Sequence, residues 1–206
     1  MARTKSNPNR ADLIMEAAME LFSRYGYERT SIEDISKHLG IGKGSIYLEF
    51  RTKEEILMQI IERFAMCIQS MMDEKVENCE GSPLETLKTI IVTGAMAVYD
   101  RVSRDIHTPE GLLHTSMTLK ARFRPFYVRK RERITKLLRM AAKAGEISES
   151  IANEDTAINV LMAVSSIYPP YYNNYTESEQ RITREELERR AEQITTIVME
   201  GLKTQK

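Results

Sequence analysis

Apolar side chains recur at three- and four-residue steps along almost the whole chain, and no segment alternates convincingly with the two-residue period of a strand. That periodicity gives each successive segment one apolar stripe and confines the fold to the all-α class. Nine Gly, six Pro and no Trp in 206 residues leave little material for a turn-rich β architecture. The length suits one large domain or two small ones. A composition 42% hydrophobic and 29% charged excludes global disorder. No apolar run approaches the roughly 18–20 residues of a membrane span. The polar stretch Met1 to Asn9 does not read as a secretory signal. Cys67 and Cys79 are too few for a disulfide framework, so a reducing cytoplasm is expected.

Capping signals divide the pattern into about nine helices. The first runs from Arg10 to Tyr25, with Gly26 as its stop. Thr30, with Glu33 three residues on, predicts the cap of a short second helix, and a very short third spans about Gly42 to Phe50. Thr52 and Glu55 open a long helix to about Val76, and Ser82-Pro83-Leu84-Glu85 opens another. Further starts fall at Thr108-Pro109-Glu110 for a helix through Leu119, at Pro125 for one through Ala144, and at Asn153 for one ending before Pro169-Pro170. Thr183 and Glu186 open the last.

Residues 31–50 hold two short helices around a tight glycine turn, with apolar anchors at Ile35, Leu39, Ile41, Ile46, Tyr47 and Phe50. A helix of about two turns is unstable alone. It has to pack at an angle on its neighbours, which is the helix-turn-helix arrangement. Its free edge, Lys43, Gly44, Ser45 and Leu48, suits a major groove about 12 Å wide. Thr30 and Ser31 offer hydroxyls and free N–H groups to phosphate, and Lys53 offers a second seat. The run Gly40-Ile41-Gly42-Lys43-Gly44-Ser45 lacks the residue order and preceding strand of a phosphate-binding P-loop.

The series Ala17-Ala18, Leu21-Phe22, Gly26-Tyr27, Thr30-Ser31-Ile32, Ile35, Leu39 through Tyr47, Phe50 and Lys53-Glu54 resembles the DNA-binding region of TetR-family transcriptional regulators over about 50 residues. The resemblance implies an N-terminal helix-turn-helix domain over 1–53 and a larger helical ligand-binding and dimerisation domain over 54–206. It implies a homodimeric repressor of a double-stranded operator, joined through its last two helices and released by a small-molecule inducer. It assigns operator contact to Thr30, Ser31, Lys43, Gly44, Ser45, Tyr47 and Lys53. Two positions depart from the family pattern: Gly42 stands where a Ser cap is common, and Glu49 where a His or Tyr faces a phosphate. Arg3, Lys5 and Arg10 offer a compensating basic arm.

In the second half, soft and aromatic side chains are candidates for the lining of an apolar inducer pocket: Phe64, Ile68, Met71, Met96, Tyr99, Met117, Phe126, Tyr127 and Tyr168. Residues 120–143 carry ten basic and one acidic side chain in a chain of zero net charge. Arg122, Arg129, Lys136 and Lys143 share one helix face, a solvated surface or a receiver for an anionic inducer such as an acyl-CoA, with Arg129 and Arg133 as the pair to remove in a test. His107, Glu110 and His114 have poor metal-ligand spacing across a proline, and no nucleophile motif or carboxylate pair stands out. The chain reads as a non-enzyme with no cofactor. The alternative is a dimeric helical ligand-binding or protein-interaction module that no longer binds DNA, a reading that Glu49 and the neutral charge favour.

Overall fold

Side chains cap the helices at most of the positions the sequence marks. Asn9 accepts from the Asp12 N–H, Thr52 from Glu55, Ser82 from Glu85, Asn153 from Thr156 and Thr183 from Glu186, all at 3.0–3.2 Å. Each satisfies an N–H the helix itself cannot pair, worth about 1 kcal/mol. The computed structural model describes residues 9–105, 124–168 and 182–203. Eight α-helices lie in them: α1 (Arg10–Tyr25), α2 (Ile32–Leu39), α3 (Lys43–Tyr47), α4 (Lys53–Glu77), α5 (Pro83–Asp105), α6 (Arg124–Lys143), α7 (Glu154–Ala163) and α8 (Arg184–Leu202). Short 3-10 turns occupy Glu149–Ile151 and Ser165–Ile167, and an isolated bridge joins Ile147 to Lys203. The helix expected from Thr108 to Leu119, the trio His107, Glu110 and His114, the lining candidate Met117 and Pro169–Tyr172 lie outside the described residues.

The described residues divide into two units, one ending at Phe64 and taking in the end of α5 from Val102, the other formed by the rest. In the first, Ala18, Leu21 and Phe22 of α1, Ile35 of α2, Ile46 of α3, Phe50, and Ile56, Leu57 and Ile60 of α4 make one buried cluster. The first turns of α4 thus complete this core. In the second, Met72 and Val76 of α4 pack with Leu87, Ile91 and Ala95 of α5 and with Ile134, Leu137 and Leu138 of α6. Ala157 and Val160 of α7 and Leu187, Ala191 and Met199 of α8 complete that cluster. Among the described residues no helix is long and apolar enough to cross a membrane.

Candidate nucleic-acid interface

The turn between α2 and α3 is set by Gly40, whose φ of +66° is the left-handed conformation that suits glycine. Gly40 N–H donates to Lys37 O at 3.2 Å and Ile41 N–H to Ser36 O at 3.0 Å, the paired bonds of a Schellman stop. α3 then leaves at an angle, with Ile46 and the following Phe50 fully buried in the first core. These anchors turn the rest of α3 outward.

The cap of α2 differs from the expected one. Ser31, not Thr30, is the N-cap, and its box partner is Asp34, not Glu33. Ser31 Oγ accepts from Asp34 N–H at 3.2 Å, while the Ser31 N–H and hydroxyl both donate to Asp34 Oδ2. These bonds hold the Asp34 carboxyl below its usual range. Thr30 is only 2% exposed, and its hydroxyl reaches Leu21 O and Gly26 O at 3.3 and 2.8 Å. Its side chain is thus a buried strut between α1 and α2. Thr30 and Ser31 are both good caps by type; only packing against α1 selects between them.

Freed from the cap, Glu33 joins two lysines: Lys43 Nζ at 2.7 Å and Lys37 Nζ at 2.9 Å. The Lys43 and then the Lys37 ammonium hold the Glu33 carboxyl at about 2. Glu33 was not among the sequence candidates; the visible signal was its four-residue spacing to Lys37, while the bond to Lys43 crosses the turn. Ser45 and Tyr47 stand on the accessible sides of α3, and no atom lies within 4 Å of where a Cβ on Gly44 would be. Lys53, at the start of α4, donates to Tyr27 O at 2.8 Å and lies 4.2 Å from the centre of the Tyr27 ring. Tyr27 itself donates to Glu54 at 3.0 Å and packs edge-on against Phe22. Burial, and then the Glu54 charge, push the Tyr27 hydroxyl well above its ordinary range. Ser31, Lys43, Gly44, Ser45, Tyr47 and Lys53 all lie in the one unit, while Glu49 is exposed beside them.

In the second unit the lining candidates separate. Met96 is buried in the core, with Ile68, Tyr99 and Tyr168 packed against the same cluster. Tyr99 donates to Ile182 O at 2.8 Å, and Tyr168 donates to Ile91 O at 3.2 Å beneath the Lys130 ammonium. Met71 lies instead in a polar surface groove between α4 and α5, Tyr127 is 57% exposed, and Phe126 is half-buried. Phe64 belongs to the first unit. A second groove of about 480 Å³ runs along α6, lined by Thr135, Lys136, Arg139, Met140 and Lys143, with the Arg131–Glu154 ion pair at its edge.

A short helix anchored at Ile46 and Phe50 with an outward polar edge defines a helix-turn-helix protein. Residues 14–60 match the family model described as bacterial regulatory proteins, tetR family. That stretch, which spans α1 to the first turns of α4, is similar to the N-terminal helix-turn-helix region of TetR-family regulators. It is 32% identical over 88 residues to the HTH-type transcriptional regulator YezE of Bacillus subtilis, a match to 43% of this chain and 45% of that protein. It is 37% identical over 67 residues to IcaR, the negative transcriptional regulator of the icaADBC biofilm operon in Staphylococcus epidermidis, covering 32% of this chain and 35% of IcaR. Both matches span less than half the relatives' length. In fold, the chain is similar to SmeT, repressor of the Stenotrophomonas maltophilia multidrug efflux pump SmeDEF, with a TM-score of 0.67 and 18% identity over 95% of this chain and 91% of that one. The SmeT complex with triclosan shows the same likeness, with a TM-score of 0.64 and 18% identity over 94% and 91%.

Proposed function

We propose that the chain is a ligand-responsive repressor that occupies a pseudo-palindromic operator as a homodimer. The observation that carries the reading is α3: its inner residues Ile46 and Phe50 are locked in the core, so that Lys43, Gly44, Ser45 and Tyr47 are presented together on the outside. In a major groove, Ser45 meets base edges and Lys43 meets phosphate, with Ser31 and Lys53 on the flanking backbone. IcaR is a negative regulator and SmeT a repressor, which supports repression as the outcome of binding.

Dimerisation is through α7 and α8. The exposed apolar side chains Ile158 and Met162 on α7 and Ile197 on α8 support this interface, because such groups gain by burial against a second copy. The inducer is an apolar molecule taken up beside Ile68, Met96, Tyr99 and Tyr168; the binding of triclosan by SmeT, a protein of the same fold, supports a ligand of that character. An anionic portion, such as that of an acyl-CoA, meets Lys136, Arg139 and Lys143 on α6. Induction is a population shift: the ligand favours an arrangement of α4 that changes the spacing of the two recognition helices.

Selection of bound sequences from a random duplex library, followed by a salt titration on the winners, tests the reading. A pseudo-palindrome with a steep salt slope is expected. No enrichment at low salt by a folded dimer would overturn it in favour of a helical module without DNA affinity.

A further inference from the structure

We infer that Leu48 is the apolar base reader of this domain and that it seats on a thymine C5-methyl group in the major groove. The inference rests on the DNA-binding reading above. Helical winding continues past the last residue of α3: Leu48 has φ −70° and ψ −30°, its N–H donates to Gly44 O at 3.1 Å, and Phe50 N–H donates to Ile46 O at 2.9 Å. Each residue turns the helix by about 100°. Gly44 and Leu48, two residues either side of Ile46, therefore stand within about 20° of the direction opposite the buried Ile46 side chain. Lys43 and Tyr47 flank that outermost line on one side and Ser45 on the other.

The outermost line carries two residues with no hydrogen-bonding side chain. Gly44 has open space where a Cβ would be, which lets the backbone approach the groove floor. Leu48 is 79% exposed, the most exposed large apolar side chain among the described residues. The floor of the major groove presents donors, acceptors and one apolar group, the thymine methyl. An isobutyl group on the leading edge leaves every donor and acceptor it covers unpaired, which is costly. Against a methyl group it excludes water from both partners at no such cost. The chemistry of the leading edge thus selects thymine at the base it covers, while the flanking Lys43, Ser45 and Tyr47 supply the polar contacts.

The test uses the full chain and the duplex that it enriches from a random library. Each thymine of the half-site is replaced in turn by deoxyuridine, which removes the methyl group and leaves pairing intact. One position should weaken binding about fourfold on losing its methyl. Leu48→Ala should bind the parent duplex more weakly and show no further loss at that deoxyuridine. Since Leu48 is exposed, its replacement should leave the thermal midpoint unchanged, and Leu48→Met should retain part of the methyl preference. Insensitivity of the parent protein to every deoxyuridine, or an undiminished methyl preference in Leu48→Ala, would overturn the assignment while leaving DNA binding in place. A chain that enriches no duplex would overturn the DNA-binding reading itself.

Discussion

Arg133 of α6 grips one carboxylate oxygen of Asp73 on α4 twice, through Nε at 2.9 Å and Nη2 at 2.6 Å. Nη2 also donates to the Gln69 backbone oxygen at 3.2 Å and to the Gln69 side-chain oxygen. The Arg133 side chain is 5% exposed and that of Asp73 42%. One member of the basic run therefore faces inward and clamps two helices, so it is not available to an incoming anion. Arg133→Ala should cost about 2 kcal/mol in urea unfolding, below the full value of a buried pair because Asp73 keeps contact with water. Arg133→Met, which retains the apolar stem, should lose less; equal losses would mean that the stem contributes nothing.

The position of Glu33 gives a pH-dependent prediction. Its folded value of about 2 lies below the ordinary 4.5, so the ionised state is favoured by folding. The associated stabilisation is present above about pH 4.5 and fades as pH falls toward 2. A carboxyl-resolved NMR titration should find this low midpoint, and Lys43→Ala should move it upward. Glu33→Gln should tighten binding to non-specific duplex about threefold at low salt by releasing Lys43 to phosphate. An unchanged affinity would show that the pair does not compete with DNA.

Replacement of neighbouring hydroxyls separates the buried strut from the cap. Thr30→Val keeps shape but removes the hydroxyl donor that reaches Gly26 O, and Ser31→Ala removes a cap, so each should lower stability by about 1 kcal/mol. At a temperature where both variants remain folded, Thr30→Val should bind duplex as the parent does. Weaker binding by folded Thr30→Val would place its hydroxyl in the phosphate footprint.

Lys43→Ala should reduce the salt slope by about one, the amount for one phosphate contact. Lys53→Ala should do the same and also lower the melting temperature, since its ammonium holds the Tyr27 carbonyl and covers its ring. A lower melting temperature with an unchanged salt slope would make Lys53 a structural residue alone.

On α6, Lys136, Arg139 and Lys143 make no ion pair among the described residues and line one groove. Combined Lys136→Ala and Arg139→Ala should abolish operator release by an acyl-CoA and spare release by a neutral apolar ligand. Loss of both responses would point to damage to the bundle and not to a lost anion contact.

Helix starts at Thr52, Ser82, Asn153 and Thr183 were readable from the chain because a cap bonds to an N–H only two or three residues away. The apolar stripes were readable for the same reason, since their period is a local property of the backbone. The order of anchors from Ala17 to Phe50 likewise made the helix-turn-helix legible, and the TetR family model matches residues 14–60. Tertiary structure decided what local rules leave degenerate. Thr30 and Ser31 are equivalent as caps until α1 buries one of them. Arg133 resembles its basic neighbours until Asp73, sixty positions away, meets it. The first core runs on to Ile60 because burial depends on which helices lie against α4, a matter of distance in space that no short window of sequence contains.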